Sequence, residues 1–268
     1  MKRRAEIGVF GGSGFYRFFE KAELTTVRTP YGSPSARIAL SKIGGRDVAF
    51  MPRHGVHHEY PPQAVPYRAN VFAFEHLGVT RVVGPNACGS LKPEVEPGDL
   101  VLCDQFVNFT NGRKDTFYDG PETTHVSAAD PYCPEMRAVA METAERLGVK
   151  LHRKGTVVVI QGPRFSSRAE SVFFRNQGWD VINMTQYPEV ILARELELCY
   201  LNISLVTDYD VGLEGDKSVK PVSHEKVVKV FERNQGVLRD LIMGVIKTLP
   251  ERRGCDCGTA LKHARMSA

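Results

Sequence analysis

Residues 155–185 read GTVVVIQGPRFSSRAESVFFRNQGWDVINMT. Thr156 to Ile160 is a β-branched apolar run, the pattern of a strand covered on both faces. A Gly-Pro turn bearing Arg164 and Phe165 follows, and Ser166 or Ser167 is placed to cap a helix whose first turn holds Glu170, where a negative charge suits the dipole. A second short strand ends at Asn183-Met184-Thr185. Such a unit sets an aromatic ring and several polar groups at the carboxyl ends of neighbouring strands, which is where α/β sheets bind small ligands. Taken alone it is only a buried strand, a turn and a surface helix, and an element of that kind implies no function.

Working outward, 268 residues allow one large α/β domain or two small ones. With no internal repeat and no linker, the chain reads as one domain, 1–250, followed by a mobile tail, 251–268, that carries Cys-x-Cys. The formal charge of +4 is spread out and includes no basic tract, which argues against a nucleic-acid partner. No apolar stretch approaches the length of a membrane span, and the N-terminal MKRRAEIGVFGGSGF lacks the unbroken apolar core of a signal peptide, so a cytoplasmic protein is expected. Six cysteines in this length are not a secreted disulfide scaffold. Cys88, Cys103, Cys133 and Cys199 sit in apolar surroundings and read as small hydrophobes. Cys255 and Cys257 read as a disulfide or as half of a zinc site, and because no partner pair is evident, no metal is expected.

Three further stretches have the makings of an anion site. Ile7 to Phe10 runs into Gly11-Gly12-Ser13-Gly14, where glycines let backbone amides approach an anion and Ser13 adds a hydroxyl. The loop lacks the third glycine of a dinucleotide fingerprint, the Gly-Lys-Ser/Thr end of a P-loop and the last glycine of a hydrolase elbow. Pro52-Arg53-His54-Gly55-Val56-His57-His58-Glu59 offers metal ligands or a solvated histidine loop, but the prolines prevent the i, i+4 helical pair. Anion binding by the planar Arg53 fork is favoured. Arg81 to Val83 reads as a strand opening into Gly84-Pro85-Asn86-Ala87-Cys88-Gly89-Ser90. A last strand, Cys199 to Thr207, opens into Asp208-Tyr209-Asp210, carboxylates that suit a turn, a metal or acid chemistry. Helices are expected at 64–77, 134–147, 190–197 and 223–248, and the polar stretch 108–130 is long for a plain connection.

GPRFSSRAE followed by VINMT resembles the nucleoside-binding segment of the methylthioadenosine phosphorylases, in the trimeric purine nucleoside phosphorylase superfamily. The resemblance spans Ile7 to about Leu249. It implies a single α/β domain with a central mixed, partly barrel-like β-sheet flanked by helices. It implies a phosphate site made by Ser13, Arg53, His54, Asn86, Ala87 and Thr185, although the family usually has threonine or serine at the position of Asn86. It places Phe165 near the base, Met184 against the ribose, and Asp208 and Asp210 facing the purine, with Ser166, His224 and His125 bearing on specificity. His125 matches a histidine that reaches into a neighbouring subunit, which implies a homotrimer or a dimer of trimers. A similar Cys-x-Cys tail forms disulfides in family members from heat-loving organisms.

The reaction so implied is phosphorolysis of an N-ribosidic bond, with inorganic phosphate as co-substrate and no cofactor or metal. Phosphate below the sugar stabilises the developing oxocarbenium charge, and the departing purine needs a proton, which Asp208 can supply if burial keeps it protonated. A carboxylate also accepts from a 6-amino group and repels a 6-oxo group, so adenine-type substrates are favoured. The preferred substrate is then 5′-methylthioadenosine, with adenosine tolerated because His224 stands where the family has a small apolar residue. A broader or 6-oxopurine phosphorylase is the alternative.

Overall fold

The computed structural model describes residues 4–11, 22–212 and 219–265; the Ser13 loop lies outside them. Along these residues the chain forms β1 (Ile7–Gly11), β2 (Glu23–Thr25), β3 (Ile38–Ile43), β4 (Arg46–Pro52) and α1 (Tyr67–His76). Next come β5 (Arg81–Ser90), β6 (Leu100–Val101), β7 (Gln105–Phe109) and α2 (Pro134–Leu147). The remainder is β8 (Leu151–His152), β9 (Thr156–Ile160), α3 (Arg168–Asn176), β10 (Val181–Asn183), α4 (Gln186–Glu195), β11 (Cys199–Asp208) and α5 (His224–Thr248).

All eleven strands join one mixed sheet, ordered β2-β3-β4-β1-β5-β10-β9-β7, with β11 branching from β5 and continuing through β6 to β8. The fork is at β5. Its first residues pair with β1, its last two with β10, and almost its whole length with β11 in parallel. One strand therefore carries two continuing runs of the sheet.

Residues 84–90 were expected to leave the sheet after Val83, yet they stay in β5 up to Ser90. Glycine and proline usually weaken a strand. Here the nine-residue parallel register with β11, Arg81 opposite Cys199 through Gly89 opposite Asp208, holds them. Gly84 is required by what lies above it: a Cβ there would stand 2.2 Å from Tyr200 Oη and 2.7 Å from Glu189 Oε1.

Strand β11 divides its side chains with period two. Leu201, Ile203 and Leu205 face one core with α2 and α5, while Tyr200 and Val206 face the other with α1 and α4. Between the latter two sit the buried polar residues Asn202 and Ser204, which satisfy themselves on β5: Asn202 Nδ2 donates to Gly84 O (2.8 Å) and Ser204 Oγ to Asn86 Oδ1 (2.8 Å). Helix α3 begins with a capping box between Ser167 and Glu170, as the Ser-Ser-Arg-Ala-Glu spacing predicts.

The C-terminal segment departs from expectation. Residues 251–265 do not hang free: Gly254 N–H donates to Glu135 Oε1 (2.7 Å), Leu261 N–H to Glu197 Oε1 (3.1 Å), and Cys257 and Ala264 are buried. The carboxylates that hold this backbone lie more than 60 residues away in sequence, so composition alone gave no hint of them. No helix among the described residues is long and apolar enough to cross a membrane.

Candidate active site

The carboxyl ends of β4, β5, β9, β10 and β11, with the start of α5, enclose a pocket of about 400 Å³. Arg53, His54, Asn86, Ala87, Phe165, Met184, Thr185, Asp208, Asp210 and His224 all line it. Ser166 sits just behind Asp210, and His125 is exposed and outside the pocket of its own chain, its N–H bonded to Ala264 O (2.7 Å).

Arg53 is almost fully buried, and its fork is not open as the sequence suggested. Nε and Nη2 donate to the two oxygens of Glu189 (2.7 and 2.8 Å), and Nη1 donates to Pro85 O (2.9 Å). Three of the five guanidinium N–H groups are thereby engaged, leaving one on each Nη. Burial works against the charge, but Glu189 outweighs it and raises Arg53 above its ordinary range. Glu189 also accepts from Tyr200 Oη (2.6 Å).

Asn86 contributes a different kind of donor. Its Oδ1 is taken by Ser204, and its Nδ2, fully enclosed, has no hydrogen-bond partner among the described residues. An orphaned buried N–H is costly unless a ligand satisfies it. Asn183 repeats the pattern: Oδ1 accepts from Thr185 N (3.3 Å), and Nδ2 is buried without a partner among the described residues. Thr185 is the N-cap of α4 but makes no side-chain cap bond, so its hydroxyl is not committed to the helix.

His54 is a neutral acceptor. Burial, then the adjacent Arg53 charge, push its imidazole down to about 3. Nδ1 lies 2.9 Å from Tyr60 O. A carbonyl only accepts, so Nδ1 carries the proton and Nε2 is left with a lone pair. The ring stacks on His58, centroids 4.4 Å apart, and burial with the neighbouring His224 lowers the His58 imidazole in turn.

At the opposite end stand two carboxyls. Burial pushes Asp208 up to about 6, against the pull of Thr207 and of Asp210 N–H. Thr207 Oγ1 lies 2.7 Å from Asp208 Oδ2 and 3.2 Å from Cys88 O, while Asp210 N donates to Asp208 Oδ1 (2.7 Å). One hydroxyl proton cannot serve both acceptors of Thr207. A proton on Asp208 lets both contacts stand. Asp210 is buried too and raised by burial, with Ser171, Ser166 and Arg175 pulling the other way; its Oδ2 has no partner among the described residues.

Sequence reasoning missed the wall formed by Val227, Val228 and Phe231 on α5, together with Ile182 and His58. The three α5 residues lie at i+3, i+4 and i+7 from His224, the spacing of one helical face, so the signal was present once His224 had been chosen. The site thus has anion donors at one end, a carboxyl raised to a pKa of about 6 at the other and an apolar flank along α5. It is built to hold an oxyanion beside a neutral molecule and to give up a proton.

A model of the Phosphorylase superfamily matches residues 6–247. The chain belongs to this superfamily. Among curated relatives, S-methyl-5′-thioadenosine phosphorylase of Pyrococcus abyssi is 52% identical, covering 96% of this chain and 98% of its own. Purine nucleoside phosphorylase of Streptomyces coelicolor is 47% identical over 97% of this chain and 95% of its own. Among solved structures, a substituted adenosine/methylthioadenosine phosphorylase from Schistosoma mansoni in complex with methylthioadenosine superposes with a TM-score of 0.88, 33% identity and 96% coverage of both chains. Within this phosphorylase the forked strand β5 supplies Asn86 and Ala87 at one end of the pocket and Cys88 beneath Asp208 at the other, so one strand spans both ends of the site.

Proposed function

We propose that the chain cleaves 5′-methylthioadenosine with inorganic phosphate, yielding adenine and 5-methylthioribose 1-phosphate, and accepts adenosine more slowly. The observation that carries the reading is the pairing of an orphaned-donor anion site with a carboxyl whose pKa burial raises to about 6, so that a protonated fraction persists near neutral pH. Phosphate sits against the spare Arg53 N–H groups, Asn86 Nδ2, Ala87 and Thr185, with Ser13 as a further ligand. It enters as the monohydrogen dianion and gives its one P–OH to His54 Nε2. Since Glu189 already compensates Arg53, the phosphate charge is not cancelled at the site. It is available to stabilise the oxocarbenium-like sugar as the glycosidic bond breaks.

Met184 lies under the ribose and Phe165 covers the base from the rim. Asp208 protonates the purine at its imidazole nitrogen as the ring leaves, and Asp210 accepts from the 6-amino group. The methylthio group packs on Val227, Val228 and Phe231, with His224 beside it. We further propose a homotrimer or a dimer of trimers in which the exposed His125 completes a neighbour's pocket; a fully active monomer in light scattering would remove that role. A cytoplasmic location suits six cysteines of which none is paired in a disulfide.

Purine release measured with and without phosphate, on methylthioadenosine, adenosine and inosine, tests the reading. Release should require phosphate, and kcat/KM should rank methylthioadenosine first and inosine last. Inosine as the best substrate would establish the 6-oxopurine alternative and end the assignment of Asp210 as the acceptor of a 6-amino group. His224→Val should raise the preference for methylthioadenosine over adenosine by about 10-fold or more, because a site that bonds a hydroxyl discriminates strongly once that partner is lost. An unchanged ratio would take His224 out of the 5′ subsite.

A further inference from the structure

The side chains of Cys133, Cys199, Cys255 and Cys257 converge away from the pocket, their four sulfurs all within 4.8 Å of one another. Cys133 is the N-cap of α2, Cys199 is the first residue of β11, and the Cys-x-Cys pair arrives from the C-terminal segment. The first two, read from sequence as isolated small hydrophobes, are therefore the partner pair that the tail was expected to lack. Sequence separations of 122 and 56 residues concealed it.

We propose that these four sulfurs bind one zinc ion, a structural centre that fastens the C-terminal segment to the start of α2 and β11. A tetrahedral zinc with bonds of about 2.3 Å sets its sulfurs roughly 3.8 Å apart. Cys255 Sγ lies 3.6 Å from Cys133 Sγ and 3.4 Å from Cys199 Sγ. Cys255 thus has two sulfur neighbours at nearly equal distance, the spacing that a shared ion sets.

The surroundings suit thiolates. Met136 N–H donates to Cys133 Sγ (3.5 Å) in the first turn of a 14-residue helix, whose N-terminal end favours negative charge. Arg253 Nη1 stands 4.0 Å from Cys199 Sγ while donating to Glu197 O (2.8 Å), so a cation is fixed beside the cluster. Glu135 and Glu197 hold the backbone at Gly254 and Leu261, on either side of the Cys-x-Cys pair, before any ion is considered. Such outer contacts orient metal ligands. Four thiolates in tetrahedral array select zinc over harder divalent ions.

The test uses the full-length protein, purified under reducing conditions with zinc present and then desalted. Plasma mass spectrometry should find one zinc per chain, and the denatured protein should titrate for all six cysteine thiols. Cys257→Ser should lower zinc content at least tenfold. Because that variant could misfold, the wild-type apoprotein is also loaded with cobalt(II), which should show intense thiolate-to-metal charge transfer and tetrahedral ligand-field bands. Less than a tenth of an equivalent of zinc, iron in its place, cobalt without those bands, or loss of four thiols to two disulfides would each overturn the proposal.

Discussion

Asp208→Asn is expected to lower kcat/KM for 5′-methylthioadenosine by about a thousandfold, within the range that a positioned general acid contributes. The wild-type profile should be flat below pH about 6 and fall tenfold per unit above it, because the protonated carboxyl is the active form and burial sets its pKa there. The variant should lose that limb. The substitution should have the opposite effect on folding stability. A carboxyl whose folded pKa is raised contributes fully below its unfolded value near 4, and that contribution is lost as pH rises through about 6. At pH 8 the wild type therefore carries a buried anion that asparagine does not, and the variant should be more stable by about 1–3 kcal/mol. A variant both inactive and stabilised cannot be dismissed as misfolded. Near-normal turnover would leave the leaving group without its proton donor.

Glu189→Ala should have the largest effect on stability. It strands a buried guanidinium and leaves Tyr200 Oη without its acceptor, and breaking a buried pair from one side costs about 3–5 kcal/mol. In a chain of this size each kcal/mol shifts Tm by about 2–4 °C, so a fall of roughly 10 °C is expected by calorimetry. The double variant Arg53→Met/Glu189→Leu removes both charges and should recover most of that loss without restoring the use of phosphate. Recovery of activity in the double variant would show that Arg53 is only structural.

These two residues mark what the sequence discloses and what it withholds. Asp208 was legible in part: a strand expected over 199–207 opens onto it, which left a turn, a metal ligand or an acid open, and only the family resemblance pointed it at a purine. The strand at 156–160, the capped helix after Ser167 and the helix 134–147 were legible for local reasons. Glu189 was not, since just ahead of the helix expected at 190–197 it carries no local signal until the fold brings Arg53 to it across 136 positions. The orphaned amides of Asn86 and Asn183 and the meeting of the four cysteines were hidden in the same way. Each depends on which strand pairs with β5, and no local pattern records that β5 has three neighbours.

The tautomer of His54 bears on which oxyanions can compete at this site. Sulfate has the size and charge of the phosphate dianion but no proton at neutral pH, so it would oppose its own lone pair to that of the ring nitrogen. Arsenate retains an As–OH and meets no such conflict. Methylthioadenosine should thus undergo arsenolysis at a rate near that of phosphorolysis, while sulfate even in large excess should inhibit weakly. An enzyme arranged in this way separates its co-substrate from an abundant look-alike through a single hydrogen atom.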